Sequence, residues 1–306
     1  MSERPSTGDR ARAIARAVGG VPRNLPVPNP FADRSLRGSV DGRVVLVTGA
    51  SSGIGRALSL RVARAGGTVA LVARTREKLD EVKREAEEVG GVADAYPCDL
   101  TDTDDVARMA AEVLVDHDRV DILVNNAGRS IRRSIANSYD RLHDFERTIQ
   151  LNYLGAVALI LQVLPGMRER RSGHIVNVST MGLQVNTPRF SAYLASKAAL
   201  DAFSRSIASE IVDDGVAISA VYMPLVRTPM IQPTGFYRSL PSISADEAAT
   251  MVAKAIVNRP KKQSTTTGRI AEITYGAAPK VQDAVVNAAF KLVPGSRDRR
   301  DDERDG

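Results

Sequence analysis

Seven short runs of apolar, largely β-branched residues alternate with longer segments of helical period, and this alternation constrains the fold more than any other feature. The runs predict strands near residues 43–48, 68–73, 92–97, 120–125, 173–178, 215–222 and 269–275. The segments between them predict helices near residues 53–65, 75–89, 103–117, 145–170, 191–213 and 245–258. Strands that alternate with helices form a parallel sheet covered on both faces. The sequence therefore predicts an α/β fold, a doubly wound parallel sheet of Rossmann type in a single domain.

Extensions are predicted on both sides of this domain. Residues 1–42 are rich in Arg and Pro and predict a flexible N-terminal extension, and residues 43–276 form the predicted catalytic domain. Residues 277–294 predict an amphipathic C-terminal helix, and residues 295–306 predict a charged, disordered tail. The broad apolar surface of that helix has two interpretations, packing onto protein or lying in a membrane interface.

The composition excludes several classes of protein. The 306 residues include a single cysteine, Cys98, and three scattered histidines, so we expect no intrachain disulfide and no metal site. The absence of Trp and an aromatic content of 4% argue against a surface that stacks nucleic-acid bases. No signal-peptide pattern is present, and the uncharged stretch from Thr148 to Met167 contains polar residues that favour a buried helix over a membrane span. We expect a cytoplasmic protein, with peripheral membrane contact as a further hypothesis.

A glycine-rich turn follows the first predicted strand. Gly49, Gly53 and Gly55 come after the run Val44 to Val47 and open the next helix. Glycines allow the backbone to approach a pyrophosphate, whose charge is favoured at a helix N-terminus. The turn therefore predicts a dinucleotide site that includes Ser51, Ser52 and Ile54.

Arg74 stands at the end of the second predicted strand, where an NAD-selective site usually carries an acid. A guanidinium suits a 2′-phosphate through charge-assisted hydrogen bonds. We expect NADPH/NADP rather than NADH as the cofactor, with Arg76 as the second candidate for the phosphate contact.

Tyr193 and Lys197 stand four residues apart on a predicted helix, about 140 residues after the glycine turn. A nearby ammonium favours the phenolate and makes the phenol a usable acid. An amphipathic helix face would give the same spacing, and the position after the glycine turn favours the catalytic interpretation.

These features resemble the short-chain dehydrogenase/reductase family over about residues 42 to 276. The resemblance implies that Tyr193 donates a proton, Ser179 polarises the carbonyl, Lys197 binds the ribose and lowers the pKa of the tyrosine, and Asn152 holds a water. Thr180 beside Ser179 offers a competing hydroxyl, but Gly182 three residues after Ser179 favours Ser179. The resemblance also implies cofactor contacts at Asp99, Leu100, Asn126, Ala127, Gly128, Val226 and Thr228.

A narrower likeness concerns the segments expected around the mouth of the site. The stretch that begins at Phe190, together with residues 126–133, 139–147 and 223–230, resembles the bacterial single-domain fatty acyl-CoA reductases. This resemblance implies reduction of a long-chain acyl-CoA to an aldehyde by NADPH. It requires no acyl-cysteine, and Cys98 is expected on the adenine side of the sheet.

Two alternatives remain open at this point. One is a reductase or dehydrogenase of a lipophilic ketone, aldehyde or alcohol, such as a 3-oxoacyl thioester, steroid or retinoid. The other is a non-catalytic NADP-binding regulatory module, which the Asn152, Ser179, Tyr193 and Lys197 set argues against.

Partners follow from the same resemblance. Family members pair the helices corresponding to residues 145–170 and 191–213, so a homodimer or homotetramer is expected. We further hypothesise that some of four loop arginines meet the CoA phosphates, with a salt-bridged or solvated surface as the alternative: Arg129, Arg132, Arg133 and Arg227. No nucleic-acid partner is expected.

Overall fold

The computed structural model describes residues 36–231 and 240–292, and its centre is one parallel sheet. The strands are β1 Val44–Thr48, β2 Thr68–Ala73, β3 Val92–Pro97, β4 Ile122–Asn125, β5 Gly173–Thr180, β6 Val216–Met223 and β7 Lys262–Gln263. Their order in the sheet is β3-β2-β1-β4-β5-β6-β7, and every pairing is parallel. The order reverses direction between β1 and β4, which is where ligands bind in doubly wound sheets. The predicted fold class is confirmed.

Helices cover both faces of the sheet. They are α1 Gly53–Arg64, α2 Arg76–Glu88, α3 Thr103–His117, α4 Leu142–Ile149, α5 Ala156–Glu169, α6 Gly182–Val185, α7 Ser191–Glu210, α8 Ala245–Asn258, α9 Thr266–Ala277 and α10 Pro279–Leu292. One core cluster joins β1 to α1, α2 and α8, and the other joins the opposite face of β1 to α3, α5 and α7. Successive residues of β1 illustrate the division, since Val45 and Val47 belong to the first cluster and Leu46 to the second.

The prediction of a strand at residues 269–275 was wrong, because this segment lies in helix α9. Thr265 caps the helix by accepting a hydrogen bond from the backbone N–H of Gly268 at 3.1 Å. Ile270 and Ile273, whose β-branched side chains suggested a strand, instead lie on an exposed helix face. The seventh strand is the two-residue β7, which pairs with Ala220 and Val221 of β6.

The boundary predicted after residue 42 lies too late in the chain. Residues 36–40 are helical, and Leu36 and Val40 are fully buried in the first core cluster. These two apolar side chains tie the segment to the domain. Residues 1–35 and 295–306 lie outside the described residues, so the flexible extension and the tail stay predictions.

Helices α4 and α5 are continuous through a π-helical turn, Gln150–Gly155. Within the described residues, Leu142–Glu169 is the one helix whose length and composition would let it cross a membrane. Leu159, Ile160 and Met167 of this helix are fully buried in the second core cluster. These contacts fit the core helix that the sequence predicts.

A buried carboxylate fixes the start of this long helix. Asp144 is 2% exposed and accepts hydrogen bonds from Arg147 at 2.8 Å and Arg133 at 3.0 Å, and Arg141 lies 3.5 Å away. Burial alone would raise the pKa of Asp144, but Arg147, Arg133 and Arg141 hold it below its usual range. The carboxylate therefore joins helix α4 to the loop that carries Arg133.

Replacing Asp144 with Asn should destabilise the protein by about 3 kcal/mol at pH 7, because the guanidinium groups of Arg133, Arg141 and Arg147 lose the buried counter-charge that they share. A depressed folded pKa means that this stability is present above pH ~4 and is lost as the pH falls through the folded value. Urea unfolding at pH 7 and at pH 3.5 should show a smaller difference between the two proteins at the lower pH.

The matched control for this experiment is Asp80→Asn, which removes an exposed ion pair with Arg76. Such a pair contributes less than about 1 kcal/mol. Equal losses for the two variants at pH 7 would contradict the role assigned to Asp144.

Candidate active site

The glycine turn between β1 and α1 is shaped for close approach by a ligand. Gly49 and Gly53 have positive φ angles of 65° and 54°. Thr48 fastens the turn to the segment after β4, because its Oγ1 accepts hydrogen bonds from the backbone N–H groups of Asn126 and Ala127, each at 3.0 Å. Among the residues that the structure describes, the N-cap Ser52 makes no side-chain hydrogen bond to the first turn of α1. Those first N–H groups can therefore hold a phosphate.

Gly55 is the glycine that the packing requires most strictly. A Cβ at this position would lie 2.2 Å from the carbonyl oxygen of Gly49 and 2.7 Å from Nδ2 of Asn126. Any side chain here would therefore push apart the two segments that form the phosphate site.

A cleft of about 390 Å³ runs over the carboxyl ends of the strands from this turn to the predicted catalytic residues. It brings together most of the predicted cofactor residues: Gly49, Ser51, Ser52, Gly53, Ile54, Asn126, Ala127, Gly128, Tyr193, Lys197, Val226 and Thr228. Ser179 also lies in its wall. Its volume lies within the range of small-molecule and cofactor sites.

The remaining predicted residues lie around the cleft rather than in its wall. Arg74 is exposed directly after β2, at the carboxyl edge of the sheet. Asp99 follows β3 and accepts hydrogen bonds at Oδ1 from both the backbone and the hydroxyl of Thr101. Leu100 is buried behind Asp99, and its carbonyl oxygen packs against Gly155. These positions leave the expected cofactor contacts of Arg74 and Asp99 as predictions.

Tyr193 and Lys197 lie on the first turns of helix α7 and both face the cleft. Burial raises the pKa of Tyr193 to about 12, and a hydrogen bond with Thr180 acts in the opposite direction. Burial lowers the pKa of Lys197 to about 8, and its Nζ donates to the carbonyl oxygen of Val178 at 2.9 Å. Burial thus outweighs the expected effect of the lysine on the pKa of the phenol.

Asn152 is fully buried in the π-helical turn, outside the cleft wall. Its Oδ1 accepts from the backbone N–H of Arg129 at 2.8 Å, and its Nδ2 donates to the Arg129 carbonyl and to Ser196 Oγ, both at 2.9 Å. Ser196 Oγ in turn donates to the Tyr193 carbonyl at 2.7 Å. Asn152 thereby connects the long helix to the loop after β4 and to the tyrosine turn.

Sequence reasoning missed Ser196 and the backbone of Arg129. Ser196 could have been found, because it stands directly before Lys197 in the Tyr193–Lys197 stretch. The contact of Asn152 with the backbone of Arg129 could not be found, because a backbone contact between residues 23 positions apart leaves no pattern in the sequence.

Two adjacent hydroxyls end strand β5. Ser179 is 6% exposed, and its Oγ is buried without a hydrogen-bond partner in the described part of the chain. Thr180 also lies in the cleft wall and accepts a hydrogen bond at Oγ1 from the backbone N–H of Gly182 at 3.0 Å. The two hydroxyls therefore have different surroundings.

The four loop arginines do not form one cluster. Arg133 is paired with Asp144, and its backbone N–H donates to the Arg189 carbonyl at 2.7 Å. Arg227 donates to the Ser242 carbonyl at 2.6 Å. Burial lowers the pKa of Arg189, and the nearby positive charge of Arg132 lowers it further. The CoA-phosphate hypothesis stays a prediction for these four residues.

Neither a metal site nor a cysteine nucleophile is visible in residues 36–231 and 240–292. No group of three or more His, Cys, Asp and Glu side chains in these ranges could hold a metal ion. Cys98 is buried, and burial is the main cause that raises the pKa of its thiol to about 12. The hydroxyl of Tyr193, which faces the cleft, is a group that can donate a proton there.

Comparison with known proteins gives a consistent result. Residues 43–235 match the family model described as short chain dehydrogenase. The chain is 52% identical over 268 residues to a fatty acyl-CoA reductase of Acinetobacter baylyi, covering 88% of this chain and 91% of that protein. It is 46% identical over 236 residues to a fatty acyl-CoA reductase of Mycobacterium tuberculosis, covering 76% and 80%.

A solved structure agrees in fold. A metagenomic short-chain oxidoreductase in complex with NADP has a TM-score of 0.63 and 32% identity, covering 74% of this chain and 96% of that one. The similarity therefore covers about three quarters of this chain and nearly all of that one.

Replacing Gly55 with Ala should lower the affinity for a nicotinamide dinucleotide at least about tenfold, because the added methyl separates the Gly49 turn from Asn126. A titration with the reduced cofactor, detected by its fluorescence, measures this change. Gly38→Ala is the matched control, since nothing lies within 4 Å of a Cβ built there. Normal affinity in Gly55→Ala would refute the placement of the phosphate site.

Proposed function

The chain belongs to the short-chain dehydrogenase/reductase family, and on that basis we propose that it reduces long-chain fatty acyl-CoA to fatty aldehyde with NADPH. The observation that carries this proposal is the 52% identity, over nearly the full length of both chains, to a protein named fatty acyl-CoA reductase. The apolar part of the cleft wall supports it: Val185, Phe190, Leu194, Met230 and Leu240. Such a wall suits an acyl chain beside the reacting carbonyl.

The residues that would hold the cofactor fit a dinucleotide phosphate. The open first turn of α1 would bind the pyrophosphate, and Arg74 at the sheet edge would bind the 2′-phosphate. NADPH, when bound, supplies the hydride. The NADP in a relative of 32% identity supports this choice of cofactor.

Tyr193 supplies the proton for the reaction. The high pKa of this buried phenol keeps it protonated at neutral pH, ready to donate to the oxygen of the thioester carbonyl. Lys197, with a pKa of about 8, remains mostly cationic at pH 7 and favours the phenolate that proton donation leaves behind. The pair therefore assists the step in both protonation states.

Loss of CoA completes the conversion. Hydride and proton addition convert the thioester to a hemithioacetal, whose carbon–sulfur bond then breaks to give the aldehyde and the free CoA thiol. The overall balance is one acyl-CoA, one NADPH and one proton to one aldehyde, one CoA and one NADP. No acyl-cysteine forms, which agrees with the buried, weakly acidic thiol of Cys98.

Incubation with NADPH and palmitoyl-CoA, followed by mass spectrometry, tests the proposed function. Aldehyde and free CoA should appear in equal amounts, and Tyr193→Phe should lower turnover by about 10²-fold or more while cofactor binding persists. A lipophilic ketone and an aldehyde are tested in parallel. Turnover of these alone would favour a carbonyl reductase, and NADPH binding without any turnover would favour a regulatory module.

Cofactor selectivity is tested at Arg74. Arg74→Asp should raise the Kd for NADPH by about 30-fold or more, because a carboxylate would face the 2′-phosphate, and should improve the Kd for NADH. Titrating both cofactors against the purified variant gives the ratio. An unchanged preference would place the phosphate contact elsewhere, with Arg76→Asp as the next variant.

We also propose that helices α9 and α10 contact an anionic lipid bilayer beside the substrate cleft. The pair packs on the segment that forms one cleft wall, since Gln282 donates to the Gln184 carbonyl at 3.5 Å and the Arg189 guanidinium lies 4.5 Å from the Phe290 ring centre. Its outer face carries exposed apolar side chains: Ile270, Ile273, Val281 and Val285. A bilayer here would place acyl chains next to the cleft.

Charge supports lipid as the occupant of this face. Arg269 and Lys280 are exposed beside the apolar side chains, and Lys291 is exposed further along α10. Basic residues that flank an apolar stripe attract anionic headgroups while their stems cover apolar surface.

Val281→Asp combined with Val285→Asp should reduce co-sedimentation with phosphatidylglycerol-containing vesicles at least about tenfold, since carboxylates would enter the interface. These side chains are 64% and 51% exposed, so folding should be unaffected. Val115→Asp, at a site 84% exposed on helix α3, is the matched control. If the double variant instead changes oligomer size by light scattering while vesicle binding persists, this face pairs with a second copy.

A further inference from the structure

We infer that Gln184 is a positioning residue that fixes one wall of the substrate cleft and thereby sets its selectivity for long acyl chains. This inference rests on the proposed reduction of acyl-CoA and assigns a residue to its substrate specificity. Gln184 lies in helix α6, and its neighbours Gly182, Val185 and Thr187 line the cleft. Gln184 itself is 3% exposed, and its side chain bonds to the elements behind this wall.

The amide of Gln184 is held on both sides by residues that follow strand β7. Its Nε2 donates to Oε2 of Glu272 in α9 at 2.9 Å, and its Oε1 accepts from Ser264 Oγ at 2.7 Å. Burial alone would raise the pKa of Glu272, but hydrogen bonds from Lys262 and Gln184 hold it below its usual range. Because a carboxylate can only accept and the serine donates its one proton, these partners fix which way the amide faces.

Helix α9 is shaped to approach this amide closely. Gly268 lies in its first turn, and a Cβ there would be 2.2 Å from Gln184 Oε1 and 2.8 Å from Ser264 Oγ. Since the amide is buried and bonded on both sides, any side chain at residue 268 would displace it. A glycine costs backbone entropy in a helix, and the approach of the amide accounts for it here.

The far end of the same wall is fastened by α10. Arg189 precedes Phe190, which lines the cleft, and Arg189 has a φ of 71°. A residue other than glycine keeps this left-handed conformation where its surroundings fix it. Its carbonyl accepts from the Arg133 N–H at 2.7 Å, and its guanidinium lies 4.5 Å from the Phe290 ring centre. Contacts from α9 and α10 therefore hold both ends of residues 184–189.

The wall between these two fastenings carries apolar side chains that the proposed function assigns to an acyl chain, Val185 and Phe190. A short acyl group would be held mainly at its thioester, whereas a long one would add methylene contacts along the wall. Such contacts weaken steeply when the atoms move apart by a fraction of an ångström. A displaced wall should therefore weaken binding of long chains and leave the reacting end unchanged.

Gln184→Met keeps the length of the side chain and removes both hydrogen bonds. In vesicle-free assays at saturating NADPH, it should raise the KM for palmitoyl-CoA about tenfold, the loss expected when about two buried methylene groups lose their contacts. Both kcat and the KM for hexanoyl-CoA should stay within about twofold of the wild type, because the reacting end is unaffected. A fall in kcat, equal changes for the two substrates, or no change for either would overturn the inference.

Glu272 provides variants that leave the buried amide in place, and its side chain is 47% exposed, so folding should tolerate them. Glu272→Ala should reproduce the selective loss, whereas Glu272→Gln should keep the KM for palmitoyl-CoA within about threefold of the wild type, because an amide oxygen still accepts from Gln184. Asp283→Ala, at an exposed site on α10, is the matched control. Equal losses in Glu272→Ala and Glu272→Gln would assign the effect to the ion pair with Lys262 and overturn the role of Gln184.

A binding measurement separates failure of this inference from failure of the proposed function. The probe is cis-parinaric acid, a long-chain fatty acid whose fluorescence rises in an apolar site, titrated in the presence of NADP. Its Kd should be about tenfold higher for Gln184→Met than for the wild type, and unchanged for Asp283→Ala. If the wild type binds the probe but turns over no acyl-CoA, the proposed function fails while the probe still tests Gln184. Equal Kd values, or no binding by the wild type, would overturn the inference.

Discussion

The hydrogen bonds of Asn152 are the interaction on which the rest of the site depends. Its amide group is fully used by the backbone of Arg129 and by Ser196, and Ser196 fastens the first turn of α7 through the Tyr193 carbonyl. The π-helical turn places this amide inside the protein, at the junction of the long helix and the loop after β4. A regular helix would rotate the side chain away from one of these partners. The π-helical turn thus helps to position Tyr193 through Asn152 and Ser196.

Burial and charge act differently on the two halves of the cleft. At the cofactor end, exposed backbone N–H groups and Arg74 provide positive potential for phosphates. At the catalytic end, Tyr193 and Lys197 are desolvated, which keeps the phenol protonated and weakens the lysine as a cation. A bound ligand with its own negative charge would counter the second effect, since an anion near Lys197 favours the ammonium form. In the proposed reaction, cofactor binding and proton transfer would therefore be coupled through Lys197.

The sequence predicted the parts that follow from local pattern. The strands β1 to β6 carry continuous or alternating apolar runs, and the glycine turn has a spacing that few other structures require. The sequence-based predictions failed where tertiary contacts determine the local structure. Ile270 and Ile273 suggested a strand, yet the Thr265 cap and the packing of α9 on α6 made a helix. Ser179 and Thr180 could not be separated by spacing alone, because the direction of a side chain at the end of a strand depends on register with β6. The paired helices expected at a subunit interface stay a prediction, with Leu154 and Leu161 exposed on the long helix.

The two-residue strand β7 forms one edge of the sheet. A long, flat edge strand offers a row of backbone groups that can template pairing with another chain, and short or lysine-bearing edges suppress this. β7 provides one residue opposite Ala220 and one opposite Val221, and its Lys262 lies 4.7 Å from the Tyr222 ring centre and is ion-paired with Glu272 of α9. This edge is too short and too charged to recruit a foreign strand. Helices α9 and α10, which carry exposed apolar side chains, therefore follow a sheet edge that does not itself promote strand pairing between molecules.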